Sequence, residues 1–296
     1  MKIVLAQPRG FCSGVKKAVQ LLESALAQVA GTSPPTSIYV YHQIVHNTYI
    51  VEDFQRRGVI FVDSLDEVPD GSLLLFSAHG VAPRIRLEAA KQHLKTIDAT
   101  CSLVDNAHQL ARHYADEGYK IILIGHRGHD EITGIQGEAP EAIYVVENEK
   151  EIEALDFPPG EKLAYLTQTT LSSAETQKQI DLLTSRFPQI QGQAKSNICS
   201  ATQSRQDAVR QLSAGADAVL IIGSKNSSNS RRLKEVAESI GLPAYLTDRP
   251  EDIPIDSFDT GDTVLITAGA SAPEHLVKSC VALLQQHFGA VTDAVS

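Results

Sequence analysis

Hydrophobic positions along this chain alternate between helical and strand spacing, and they do so on one plan three times. After Cys12, the residues Val15, Ala18, Val19, Leu22 and Leu26 share one helical face. Three short apolar runs follow. Ile38–Tyr41 ends at His42 in YHQIVHN, VIFV begins at Val59, and LLLF begins at Leu73 and ends at His79 in SAHG. Cys101 restarts the plan with a helix carrying Leu103, Val104, Ala107, Leu110, Ala111 and Tyr114. KIILI then runs into GHRGHDE, IYVV follows, and LAYL runs into TQTT. Cys199 restarts it again, with Ala208, Val209 and Leu212 on its helix, AVLII running into GSKNSSNS, then AYL, then TVLIT running into AGAS.

The spacings agree. Cys12 to His42 is 30 residues, Cys101 to His129 is 28, and Cys199 to Ser227 is 28. Cys12 to His79 is 67, Cys101 to Thr169 is 68, and Cys199 to Ser271 is 72. A fixed period means one supersecondary unit copied, and roughly 90 residues make each copy a small domain. Runs such as LLLF, IILI and VLII fit parallel strands buried on both faces. The expected fold class is therefore α/β, three similar small units with mainly parallel sheets. The units are residues 13–98, residues 99–196, and residues 1–12 with 197–289, because the first strand feeds directly into the Cys12 turn. Residues 290–296 read as a tail.

Composition narrows the class. The chain has 296 residues, 43% hydrophobic and 21% charged, enough to bury true cores. No apolar run reaches membrane-spanning length, and KIVLAQ is too short for a signal peptide. Four cysteines without a secretory signal point to a reducing compartment, the cytoplasm, and to metal chemistry over disulfides. A net charge of −10 argues against nucleic acid as a partner but not against a small anion held locally.

In open parallel α/β sheets, ligands bind beyond the carboxyl ends of the strands. Every polar motif named above sits there, so the repeats suggest one site where three units meet, with one thiolate from each. Each of Cys12, Cys101 and Cys199 also precedes a helix, whose positive end favours the thiolate. A lone cysteine of this kind is more often a core thiol; three at equivalent places are not. Cys280 lies on an apolar helix stripe with Leu276, Val277, Val281 and Leu284 and reads as core. Three thiolates suit zinc or an iron–sulfur cluster with one uncapped iron, and the lack of a C-x-x-C pair weakens structural zinc. His42, His79, His129, Thr169, Thr170, Ser227, Ser228, Asn229 and Ser271 offer imidazoles, hydroxyls and an amide suited to phosphate oxygens. GSKNSSNS opens a helix, a ready anion site, although it is not a Walker loop and a Ser/Asn run alone is more often a solvated turn or cap. Glu131 could hold or relay protons if its pKa rises; the plainer reading is an exposed carboxylate at a helix start. His46, His108 and His126 are weaker candidates, and His93, His113, His275 and His287 read as surface residues.

The ordered set PRGFCSGV, HQIVHN, SAHG, DATCSLV, GHDE, TQTT, NICSATQSRQDAV, GSKNSSNS and GASAPE resembles the LytB (IspH) family of 4-hydroxy-3-methylbut-2-enyl diphosphate reductases over residues 2 to 288. The resemblance implies three lobes in a pseudo-three-fold arrangement around one 4Fe–4S cluster, with Cys12, Cys101 and Cys199 as its three ligands. It implies that His42, His79, His129, Ser227, Ser228, Asn229 and Ser271 hold the diphosphate of an allylic substrate. Glu131 would deliver protons, and Thr169 would orient the substrate hydroxyl. Isopentenyl and dimethylallyl diphosphate would be the products, with electrons from a donor such as ferredoxin or flavodoxin. The chain departs from the family pattern at Ser102 and Asp130, where Pro is common, at Gln43, where Glu is common, and at Gln7 of Gln7-Pro8-Arg9, where the family has Asn-Pro-Arg. Asp130 puts a carboxylate beside a diphosphate ligand; it is expected to face solvent, the other outcomes being repulsion of the ligand or a raised pKa at His129. A paralogue acting on another allylic diphosphate, or a non-catalytic metal or iron–sulfur protein that binds phosphometabolites, are the competing readings. Retention of Glu131 and Thr169 speaks against the second, since pure binding needs neither.

Overall fold

The structure is a computed structural model, and it describes residues 1–31, 36–192 and 197–294. In chain order the elements are β1 (Lys2–Leu5), α1 (Ser13–Val29), β2 (Ile38–Tyr41), α2 (Thr48–Arg56), β3 (Val59–Val62), β4 (Leu73–Phe76), α3 (Pro83–Lys91), β5 (Lys95–Asp98), α4 (Ser102–Asp116), β6 (Lys120–Ile124), α5 (Asp130–Gln136), β7 (Ile143–Val146), α6 (Glu149–Glu153), β8 (Leu163–Thr167), α7 (Ser173–Arg186), α8 (Ser200–Leu212), β9 (Ala218–Ile222), α9 (Ser228–Ser239), β10 (Ala244–Thr247), β11 (Thr263–Ala268), α10 (Glu274–Phe288) and β12 (Val291–Ala294).

The strands form three sheets, ordered β3-β2-β4-β5, β7-β6-β8 and β10-β9-β11-β1-β12, and every named pairing is parallel. The repeat read from the spacing is visible in these orders. Within each copy the first strand lies between the second and the third. The apolar runs are buried on both faces, as double coverage requires. Along β9, Ala218, Leu220 and Ile222 enter one core while Val219 and Ile221 enter the other. Along β6, Ile122 and Ile124 face one core and Ile121 and Leu123 the other.

The chain packs as two compact units. One comprises Met1–Lys16, Val45–Asp53 and Ser200–Ser296 and holds the five-stranded sheet; the other comprises Lys17–Ile44 and Phe54–Cys199 and holds the other two. β1 pairs with β11, so the first strand shares a sheet with β9 to β11. The domain break expected near residue 196 lies outside the described residues.

Two edge strands escape the hydrophobic pattern. β5 is Lys-Thr-Ile-Asp and largely exposed, so it carries no apolar run, yet it completes the edge beside β4. Residues 291–294, assigned above to a tail, instead pair with β1 as β12. Gly289, at φ 61°, ends α10 in the left-handed conformation. The chain then satisfies backbone donors and acceptors that the edge of β1 would otherwise leave unpaired. Among the described residues no helix is long and apolar enough to cross a membrane.

Candidate functional site

In the unit of residues 17–44 and 54–199, polar groups collect after the carboxyl ends of β2, β4, β6 and β8. Glu131 lies in the first turn of α5 and is 1% exposed. Its Oε1 accepts from the Thr169 backbone N–H at 2.7 Å, and its Oε2 accepts from the Thr169 hydroxyl at 2.8 Å. Burial pushes its pKa up to about 7, against the two Thr169 bonds that favour the carboxylate. The exposed helix-start alternative is thereby excluded. His129 caps α5, its Nδ1 accepting from the Glu131 N–H at 3.2 Å, so the ring proton sits on Nε2.

His42 follows β2 with φ 55°, a left-handed backbone that costs a non-glycine residue roughly 1 kcal/mol. Its N–H bonds the Val62 carbonyl at 2.8 Å, and its ring stacks on Tyr41. Asp130 does not face solvent as expected. Its side chain is 20% exposed, and Oδ1 meets His42 Nδ1 at 2.6 Å. The reason is charge: an imidazole at the end of β2 offers a carboxylate a better partner than water does. The histidine whose pKa Asp130 raises is His42, where His129 was the one expected. His79 follows β4, with Nδ1 3.2 Å from the Ser77 hydroxyl and its ring edge-on to that of His129. His108 is buried within α4 and bonded to Glu138 at 2.6 Å, a structural pair.

Cys101 is the N-cap of α4, and its N–H donates to the Ala78 carbonyl, one residue before His79. The Cys199 N–H donates to the Thr169 carbonyl, which ties that cysteine to the partner of Glu131.

In the other unit, the Cys12 N–H donates to the Ala270 carbonyl, and its Sγ accepts from the Val15 N–H at 3.4 Å in the first turn of α1. Arg205 bonds the Gly10 carbonyl, and Arg9 pairs with Glu274 at 2.6 Å, so the turn before Cys12 is braced from both sides. Ser227 caps α9, its hydroxyl accepting from the Ser230 N–H. Ser227, Ser228 and Asn229 are each under 7% exposed. Both polar atoms of the Asn229 amide are buried with no hydrogen-bond partner, an arrangement that calls for a ligand. Gly223 and Gly269, after β9 and β11, admit Ser230; a Cβ at Gly269 would lie 2.1 Å from its hydroxyl oxygen. The Ser271 hydroxyl donates to the His46 carbonyl at 2.8 Å, leaving its lone pairs as its remaining capacity.

Sequence reasoning did not single out Ser224, whose hydroxyl accepts the Thr48 N–H at 2.8 Å and ties GSKNSSNS to the start of α2. Its position inside that motif was the only signal.

A soft metal centre is compatible with this donor set. Cys12, Cys101 and Cys199 are free of disulfides, partly exposed, and each directly precedes a helix. Cys280 is the contrast, fully buried in α10 with its thiol pushed up to about 12 by burial.

With this geometry established, comparison with known proteins is specific. The sequence model of the LytB protein family matches residues 3–285. The 4-hydroxy-3-methylbut-2-enyl diphosphate reductase of Rhodopirellula baltica is 52% identical over 293 residues, 99% of this chain and 90% of that protein. Its namesake from Acinetobacter baylyi is 50% identical over 289 residues, 96% of this chain and 90% of that protein. Among solved structures, the E-1-hydroxy-2-methyl-but-2-enyl-4-diphosphate reductase from Plasmodium falciparum matches with a TM-score of 0.93 at 35% identity, covering 100% of this chain and 92% of that one. A structure described as (E)-4-hydroxy-3-methyl-but-2-enyl diphosphate reductase, the terminal enzyme of the non-mevalonate pathway, matches with a TM-score of 0.68 at 30% identity, covering 97% of this chain and 100% of that one. Half of the residues are identical across nearly the whole length, and the chain belongs to the LytB family.

Proposed function

We propose that this chain is a 4-hydroxy-3-methylbut-2-enyl diphosphate reductase, the terminal enzyme of the non-mevalonate route. Family membership supports the reaction; the structural observation that carries the mechanism is the buried Glu131 bonded twice to Thr169. Two electrons and two protons convert the allylic alcohol to an alkene and water. The C–O bond breaks, oxygen leaves as water, and a proton adds at either end of the allyl system. Isopentenyl or dimethylallyl diphosphate results.

Cys12, Cys101 and Cys199 would supply three thiolate ligands to one 4Fe–4S cluster. When bound, the cluster supplies electrons singly and a Lewis-acidic iron. Electrons come from a low-potential donor such as ferredoxin or flavodoxin. Free thiols on all four cysteines suit the reducing cytoplasm.

The residues do the rest. A carboxyl with pKa about 7 is partly protonated at neutral pH, so Glu131 holds a proton where an exposed glutamate would not. When Oε2 carries that proton it donates to Thr169 Oγ1, and the threonine hydroxyl turns to donate onward to the departing oxygen. The Thr169 N–H on Oε1 keeps the carboxyl in register throughout. His129, protonated on Nε2, donates to an anion. Asn229, with Ser227 and Ser228 at the start of α9, receives phosphate oxygens, and Ser271, His42 and His79 complete the diphosphate set. Fixing the diphosphate at several points turns remote binding energy into placement of the reacting carbon.

The test is an anaerobic assay with a low-potential reductant and 4-hydroxy-3-methylbut-2-enyl diphosphate. Formation of the two isoprenoid diphosphates is expected; binding without turnover would overturn the assignment in favour of a paralogue with another substrate or a phosphometabolite-binding protein.

A further inference from the structure

We propose that Asp130 is a positioning residue of the diphosphate site, holding His42 as an imidazolium with its Nε2–H directed to the ligand. This rests on the reading that His42 meets the diphosphate. The geometry is direct. Asp130 Oδ1 lies 2.6 Å from His42 Nδ1, the length of a charge-assisted bond, and Oδ2 lies 3.8 Å from His79 Nδ1. One carboxylate thus faces both histidines at the ends of the adjacent strands β2 and β4. It reaches them from the first residue of α5, which belongs to another sheet's connections.

A carboxylate next to an anion site repels the anion unless it does something else. Here it orders charge. The pair is neutral overall, but its positive end is the imidazole, whose other nitrogen is Nε2. The groups acting on His42 agree. The Asp130 hydrogen bond and charge raise its pKa, burial opposes them, and Asp63, at the end of β3, adds charge and a backbone hydrogen bond that also raise it. Tyr41 stacks on the ring, and its own phenol is raised, chiefly by burial, so it stays neutral. A folded-state pKa that is raised means that His42 keeps its charge to higher pH than a free histidine. Asp130 therefore extends diphosphate binding to the alkaline side, a task that the family's usual Pro could not perform.

The probe is inorganic diphosphate, titrated calorimetrically and anaerobically into cluster-loaded protein in buffers of different ionisation enthalpy. With Asp130→Asn, affinity should fall about tenfold at pH 8.5, the scale of one charged hydrogen bond. At pH 6 it should be equal or tighter, because His42 is charged in both proteins and a repelling carboxylate is gone. Proton uptake on binding at pH 8.5 should rise in the variant. Asp130→Pro, acceptable at the first position of a helix, should behave alike and guards against an artefact of the Asn amide. Equal affinity ratios at both pH values with unchanged proton uptake would overturn the proposal. His42→Ala separates the two ideas. If it weakens diphosphate binding while Asp130→Asn does not, only the role of Asp130 falls. If His42→Ala binds diphosphate normally, the assignment of His42 to the anion falls with it.

Discussion

Glu131 shows how far one residue's environment can move its chemistry. An exposed glutamate at a helix start would be ionised and idle; burial pushes the pKa of Glu131 up to about 7, as the proposed proton delivery requires. Glu131→Gln keeps the shape and both contacts, because the amide oxygen accepts from the Thr169 N–H and the amide nitrogen donates to its hydroxyl. Substrate binding should persist while turnover falls on the order of 100-fold or more, measured by steady-state assay; near-normal kcat would remove Glu131 from the mechanism. The same change alters stability with a defined sign. The folded state binds the Glu131 proton more tightly than the unfolded chain does. Wild-type stability is therefore lost as pH rises from the ordinary glutamate range through about 7. The Gln variant escapes that loss and should gain up to roughly 3 kcal/mol relative to wild type at pH 8, with little gain at pH 4. Thermal midpoints at the two pH values test this, and a pH-independent difference would refute the buried-carboxyl account. Glu131 was legible as a candidate from its place two residues after a strand-end histidine. Its burial was not, because that depends on what packs over α5.

At the scale of elements, α9 is placed by what is missing at two neighbouring strand ends. Gly223 and Gly269 leave room for Ser230, and Ser230 in turn sets the start of α9 where Asn229 lies buried without a partner. Gly269→Ala should force Ser230 away and weaken diphosphate binding several-fold, read by competition with substrate. Adding Ser230→Gly, which removes both clashing atoms, should restore much of the loss. If the double variant is no better than the single one, the close approach is not what positions the helix. β12 makes a second case. Deleting residues 290–296 strips one ladder from β1, and a lowered thermal midpoint is expected; an unchanged midpoint would show that the pairing contributes nothing. Neither β5 nor β12 announced itself, since each is a short, polar edge strand. The buried strands announced themselves because burial on both faces demands an unbroken apolar run.

Over the whole molecule, the repeat is the organising fact. Three copies with the same strand order place a cysteine before the first helix of each copy. About four irons and four sulfides per chain are expected after anaerobic reconstitution, and Cys12→Ser, Cys101→Ser or Cys199→Ser should each lower them. Cys280→Ala should leave them intact and cost only about 1–2 kcal/mol as a small core truncation. Zinc without sulfide would sink the cluster assignment.

The amino-acid sequence by itself determined the repeated α/β plan, the strands buried on both faces, the separation of three cysteines from the fourth, and the family. These follow from local spacing and from motifs read in order. Tertiary structure decided what local spacing cannot carry. It buried Glu131 and so set its proton affinity. It turned Asp130 from solvent to His42, and it recruited residues 291–294 to an open strand edge. Each outcome depends on groups distant in the chain meeting, and at Glu131 also on the removal of water, so that a carboxyl's neighbours as well as its identity fix its charge.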